Sequence, residues 1–247
     1  MKTSSESEKP DAAPARKCRI LVVDDHPLLQ GGLARLIESE PDLAIWGLAG
    51  TAADALALMA KDAPDVAVID IFLPGATNGI ELPKQLLASH PRVKVLILSM
   101  HDDPIYVERA LKAGARGYVT KAEVSRVILD AIRGIWSGGT YLSPGVSAAP
   151  DARPVRAAGT PRRWGLDALT DRELELLELF GRGFSRSQIA GRLCLSVRTI
   201  ESHREHMRRK LGLESAGELA RYALKWIESA ENRPPQNKAG PPGPSAT

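Results

Sequence analysis

Five times between residues 18 and 137 a short apolar run is followed by an amphipathic stretch. The runs are RILVV, LAIWGLA, VAVID, VKVLILS and RGYVT. Their partners are a helix from Pro27 to Glu40, then AADALALMAKD, IELPKQLLAS, PIYVERALKAG and EVSRVILDAIRGIWSG. Strands alternating with helix-length periodic segments predict a doubly wound, five-stranded parallel sheet of the α/β class. Pro27 and Pro104 each fall where a first helical turn tolerates the missing N–H.

The ends of the apolar runs are polar and complementary. ILVV is followed by Asp24 and Asp25, VAVID ends on Asp70, VLIL is followed by Ser99, and GYVT by Lys121. Parallel strands point their carboxyl ends at one crevice, so these distant residues meet there. Three carboxylates packed together repel unless a divalent cation neutralises them, and oxygen-only ligands suit Mg²⁺. Taken singly, Asp25 reads as a helix cap, Ser99 as a cap for the next helix and Lys121 as a solvated surface residue. Together they read as a magnesium-dependent phosphoryl-transfer site.

The rest of the chain divides by composition. Residues 1–17 are polar and rich in Ser, Pro and Ala, and read as a disordered leader. Residues 138–166 combine Gly, Pro, Ala and Arg without periodicity and read as a linker. Residues 167–230 are helical only, and 231–247 read as a disordered, Pro-rich tail. Capping boxes are expected at Thr170 with Glu173, Ser185 with Gln188 and Ser215 with Glu218, and a simple N-cap at Ser196. Helices over 185–193 and 196–211, joined by Cys194 and Leu195, form a helix-turn-helix, with Ile189, Ala190, Leu193, Leu195, Val197 and Ile200 packing the angle. Cys194 is expected in that core, and Trp46, Trp136 and Trp226 in core or interface. The second helix is strongly basic, and Glu201, Ser202 and Glu205 point outward where base edges could be read. Glu201 and Glu205 are also spaced to pair with arginines on their own helix. With two cysteines far apart, no signal-peptide pattern and no apolar run of membrane-spanning length, a cytoplasmic protein is expected.

Residues 18–136 resemble the flavodoxin-like receiver domain of NarL/FixJ-family two-component response regulators, carried by Asp24, Asp25, Asp70, Ser99 and Lys121 in register. The segment from Leu169 resembles that family's LuxR-type, all-α four-helix DNA-binding domain, through Leu169–Glu173 and the Thr199-Ile200-Glu201-x-His203 run. The resemblance implies that Asp70 is the phosphoacceptor, that Asp24, Asp25, Asp70 and the Phe72 carbonyl hold Mg²⁺, and that Lys121, Ser99 and Tyr118 form the switch. It further implies DNA contacts by Ser196, Arg198, Thr199, Arg208 and Arg209 to phosphates and by Glu201, Ser202 and Glu205 to bases. The implied partners are a sensor histidine kinase, promoter DNA, RNA polymerase and a second copy of the chain. The loop LPGATNG is one residue longer than the family's usual form, and Ser187 and Gln188 replace a Lys-Glu pair.

Two other functions fit parts of the same pattern. A phosphatase of the haloacid-dehalogenase type wants Asp-x-Asp, whereas Asp70 is followed by Ile71 and Phe72, so turnover catalysis is not expected. The other is a DNA-binding regulator whose receiver acts only as a phosphorylation-independent dimerisation module.

Overall fold

The structure, a computed structural model, describes residues 16–147 and 165–231. The leader and tail expected from composition, and most of the linker, lie outside the described residues. The N-terminal unit runs β1 (Cys18–Val23), α1 (Pro27–Glu38), β2 (Leu43–Ala49), α2 (Ala52–Met59), β3 (Val66–Asp70), α3 (Glu81–Ser89), β4 (Lys94–Ser99), α4 (Pro104–Lys112), β5 (Gly117–Thr120), α5 (Val124–Trp136), β6 (Tyr141–Leu142) and α6 (Pro144–Ser147). The strand order is β2-β1-β3-β4-β5-β6, with every pair parallel. The chain winds outward from β1 to β2, then crosses back to β3. That reversal opens a crevice between the carboxyl ends of β1 and β3, where Asp24 and Asp70 stand.

Period-two alternation divides the core. Ile20, Val22, Val68, Leu96, Leu98 and Val119 face α1 and α5, packing on Leu33, Ile37, Ile128 and Ile132. Leu21, Val23, Ile69, Val95, Ile97 and Tyr118 face the other way, toward α2, α3 and α4. This second core continues into the C-terminal helices through Leu174, Leu177, Ile189, Ile200 and Ala223.

The sheet has six strands, one more than expected. Tyr141 and Leu142, assigned to the linker, pair with Gly117 and Tyr118. A two-residue strand carries no periodicity, so sequence alone gives no sign of it. It covers the edge that β5 would otherwise leave open. Gly117 admits the neighbour: a Cβ there would lie 3.2 Å from the Tyr141 carbonyl and 2.5 Å from a Leu96 methyl.

The C-terminal unit comprises a short 3-10 turn (Leu166–Ala168), α7 (Asp171–Gly181), α8 (Arg186–Arg192), α9 (Val197–Leu211) and α10 (Ala216–Glu231). Both partners of the capping box engage at Thr170 and at Ser185. At α10 the box is only half formed. Ser215 accepts from the Glu218 N–H at 3.2 Å, but the Glu218 carboxylate accepts from Glu214 N at 2.7 Å, one residue early. Ile200 is buried as expected, and Met207 with it, whereas Val197 is 44% exposed. Cys194 is exposed too, not core: at φ 53° it makes the left-handed turn between α8 and α9. Helix α7 departs most from an ordinary amphipathic helix, since Glu173, Glu175 and Glu178 are all buried along with its leucines.

Candidate functional site

The groups that end β1, β3 and β5 converge. Lys121 Nζ donates to Asp24 Oδ2 at 2.8 Å and to Asp70 Oδ2 at 2.7 Å. Burial pushes the Asp70 carboxyl up to about 6, with Lys121 pulling it down and Asp24 adding to the rise. Burial pulls the Lys121 ammonium down, but the charges of Asp70 and Asp24 outweigh it and hold the group above the usual lysine value. The remaining Asp70 oxygen accepts from Phe72 N at 3.3 Å, and Asp24 Oδ1 accepts from His26 N at 2.8 Å, bracing the start of α1. Asp25 stands farther out. Its buried Oδ1 has no hydrogen-bond partner among the described residues, although His26 Nδ1 lies 2.8 Å away in poor alignment.

Ligand atoms of Asp24, Asp25, His26 and Asp70 all lie within 4.8 Å of one another. A set this close, dominated by carboxylate oxygen and carrying an orphaned buried oxygen, fits a small hard cation. The loop after Asp70 is tightly constrained. A Cβ on Gly79 would lie 1.9 Å from the Asp70 carbonyl oxygen, and Asn78 Oδ1 accepts from Ile80 N and Glu81 N to start α3.

Ser99, fully buried at the end of β4, accepts from His101 N at 3.0 Å. Tyr118 points inward, and its hydroxyl donates to the His101 carbonyl at 2.8 Å. Burial raises the Tyr118 phenol above its ordinary value, so it remains a donor.

Sequence reasoning missed the contacts that join the two units. The His101 imidazole and the Tyr106 hydroxyl each lie 2.7 Å from a Glu178 carboxylate oxygen on α7. Arg109 donates to Asp171 at 2.8 Å and to the carbonyls of Leu166 and Leu169. Trp226 of α10 stacks on Tyr106 with ring centroids 6.1 Å apart, an interface role of the kind expected for it. The lengthened loop also docks here: Arg172 donates to the Gly75 carbonyl at 3.0 Å, and Gly75 N donates to the Arg192 carbonyl at 3.3 Å. Arg192 reaches to 3.5 Å from Asp25. Between the units lies a cavity of about 550 Å³, with Asp70 and Lys121 on one wall and Arg182, Phe184 and Arg192 on the other.

On α9, Arg198, Ser202, Glu205 and Arg209 are exposed and Thr199 and Glu201 half-buried. Ser196 Oγ caps the helix at 3.0 Å from Thr199 N. Glu201 pairs with Arg204 at 2.8 Å and with Arg186, and Glu205 pairs with Arg208 at 2.7 Å, so both glutamates are engaged by arginines. Arg208 also donates to the carbonyls of Leu213 and Glu214, closing the end of α9.

The family model described as the response regulator receiver domain matches residues 20–133, and that of the luxR family of bacterial regulatory proteins matches residues 167–223. The oxygen regulatory protein NreC of Staphylococcus carnosus is 31% identical over 210 residues, spanning 84% of this chain and 97% of its own. The chain belongs to the NarL/FixJ response regulators. Among solved structures of this class, a LuxR-family two-component response regulator from Aurantimonas sp. SI85-9A1 is 35% identical over 53% of this chain and 93% of its own, with a TM-score of 0.51. RcsB from Salmonella enterica serovar Typhimurium, bound to promoter rprA in the presence of phosphomimetic BeF3-, shares the fold at 22% identity and a TM-score of 0.58, covering 85% of this chain and 99% of its own. This response regulator therefore joins a receiver to a LuxR-type DNA-binding domain. Among its described residues, no helix is long and apolar enough to cross a membrane.

Proposed function

We propose that Asp70 accepts a phosphoryl group from a sensor histidine kinase and that phosphorylation controls dimerisation and promoter binding. Asp24, Asp25, Asp70 and the Phe72 carbonyl would hold Mg²⁺, which when bound supplies neutralisation of the charge gathered around the transferring group. The observation that carries this reading is the Lys121 ammonium set between Asp24 and Asp70, with ligand atoms of Asp24, Asp25 and Asp70 gathered within 4.8 Å of one another.

The chemistry then follows from this chain's own groups. An ionised Asp70 oxygen forms the new bond to phosphorus as the bond to the donor's leaving atom breaks. Lys121 stays protonated and can pair with a phosphoryl oxygen. The Ser99 hydroxyl can donate to another once it gives up its place in the following loop. The exposed face of α9 would enter a major groove, with Arg198 and Arg209 on phosphates, and a dimer would read half-sites about one helical turn apart. RNA polymerase is the downstream partner in this reading, and the compartment is the cytoplasm.

Intact-mass measurement after incubation with acetyl phosphate and Mg²⁺ tests the assignment. The unmodified chain should gain one phosphoryl group and Asp70→Asn none. A labelled Asp70→Asn protein refutes it.

A further inference from the structure

Glu178 belongs to the DNA-binding domain, yet two of the side chains that contact its carboxylate belong to the receiver. It is 2% exposed and is held by His101, by Tyr106 and by Arg182 of its own helix, each at 2.7 Å. A buried carboxylate needs its donors, so Glu178 fits only one position of the loop that carries His101. His101 in turn is fixed at several points. Its ring stacks on Tyr106 with centroids 5.1 Å apart and meets the edge of Phe72 at 5.7 Å. Its N–H donates to Ser99 Oγ and its carbonyl accepts from Tyr118. A continuous set of contacts thus runs from Glu178 through His101 to the hydroxyl beside the phosphoacceptor.

We propose that Glu178 is a positioning residue for phosphorylation of Asp70: through His101 it holds the loop between β4 and α4 in the arrangement that keeps Ser99 turned to the loop. The proposal rests on the reading of Asp70 as phosphoacceptor. Turning Ser99 toward a phosphoryl group leaves His101 N without its acceptor, so the loop shifts and the imidazole withdraws from Glu178. Coupling is reciprocal: whatever phosphorylation does to the Glu178 contact, loosening that contact does to phosphorylation. The restraint acts at the phosphoacceptor and not by covering the DNA-reading surface, since Arg198, Ser202 and Arg209 on α9 remain exposed.

The test is the rate of phosphoryl incorporation in the full chain, followed by intact mass at several concentrations of acetyl phosphate and of Mg²⁺. Glu178→Gln and His101→Ala are each expected to raise the rate at saturating phosphodonor by at least about fivefold, the lower end of ordinary coupling. The half-saturating concentrations should stay unchanged in His101→Ala, which does not line the cavity at Asp70; Glu178 does line it, so its variant is read at saturating phosphodonor alone. The double variant should be no faster than either single one. Arg109→Ala, which loosens the same domain interface at Asp171, Leu166 and Leu169 without touching the loop, should stay within about twofold of the unmodified chain.

If Arg109→Ala accelerates the reaction as much, the interface acts only as a roof and the positioning role is wrong. Unchanged rates in both Glu178→Gln and His101→Ala overturn it as well. Failure of the unmodified chain to gain any phosphoryl group removes the underlying reading of Asp70 and the proposal with it. His101→Ala lies on the receiver, so the outcome stands even if substitution within α7 impairs folding.

Discussion

Lys121 shows what one side chain holds together at the crevice. Without its ammonium, Asp24 and Asp70 would be two buried carboxylates facing a third, Asp25, within 4.8 Å. Breaking a buried pair of this kind costs about 3–5 kcal/mol. Lys121→Ala is therefore expected to lower stability to urea by that order at neutral pH, and millimolar Mg²⁺ should recover part of the loss; equal midpoints for variant and parent would contradict the account. Gly79 is the second single-atom constraint. A methyl group there meets the Asp70 carbonyl at 1.9 Å, so Gly79→Ala must push the backbone that carries the proposed phosphoacceptor. Overpacking of this kind costs about 1–3 kcal/mol. Phosphoryl incorporation should fall along with stability, and an unaltered variant would show that the loop yields freely.

At the scale of the element, legibility followed periodicity and failed where a neighbour decides the outcome. The receiver's first five strands, its first five helices and the polar groups at the strand ends were readable because parallel strands align their carboxyl ends whatever fills the loops. Strand β6 was not, since two residues in a Gly- and Pro-rich segment become a strand only through β5. Helix α7 is legible at its start, through the Thr170 and Glu173 capping box, but nothing local to Glu175 or Glu178 says that Arg172 or His101 and Tyr106 wait opposite. Cys194 reads as core because it and Leu195 are apolar, whereas the geometry of the turn requires a left-handed residue and turns Cys194 outward. Left-handed backbone costs an L residue about 1–2 kcal/mol, so Cys194→Gly should stabilise the C-terminal domain by about 1 kcal/mol after the entropy of the added glycine is deducted. Thermal unfolding of the variant would show this, and a lower midpoint would contradict it. For α9 itself, Arg198→Ala and Arg209→Ala should each flatten the salt dependence of DNA affinity by about one unit of slope, as expected for lost phosphate contacts. Slopes indistinguishable from the parent's in an anisotropy titration would place the phosphate contacts elsewhere.

Across the whole molecule, the burial of Glu175 predicts that closure of the two domains depends on pH. Burial pushes this carboxyl up to about 7, from the 4.5 of a solvated glutamate, with Arg172 and the receiver's Asn78 pulling it down and Glu178 adding to the rise. The closed arrangement thus binds the proton more tightly than an open one in which Glu175 meets water. The sign follows: this part of closure is complete below about 4.5 and is lost as pH rises through about 7. Small-angle scattering should record a larger radius at pH 8 than at pH 5.5, and Glu175→Gln should remove most of the difference. A pH-independent radius in the parent would contradict the linkage.

Because α7 supplies the core of one domain and faces the other with Asp171, Arg172, Glu175 and Glu178, the two halves of this regulator are not freely interchangeable parts. A chimera that grafts a relative's reading head onto this receiver would inherit the donor's promoter preference yet lose control of it. To keep both, the exchange would have to leave those four residues of the joint in place.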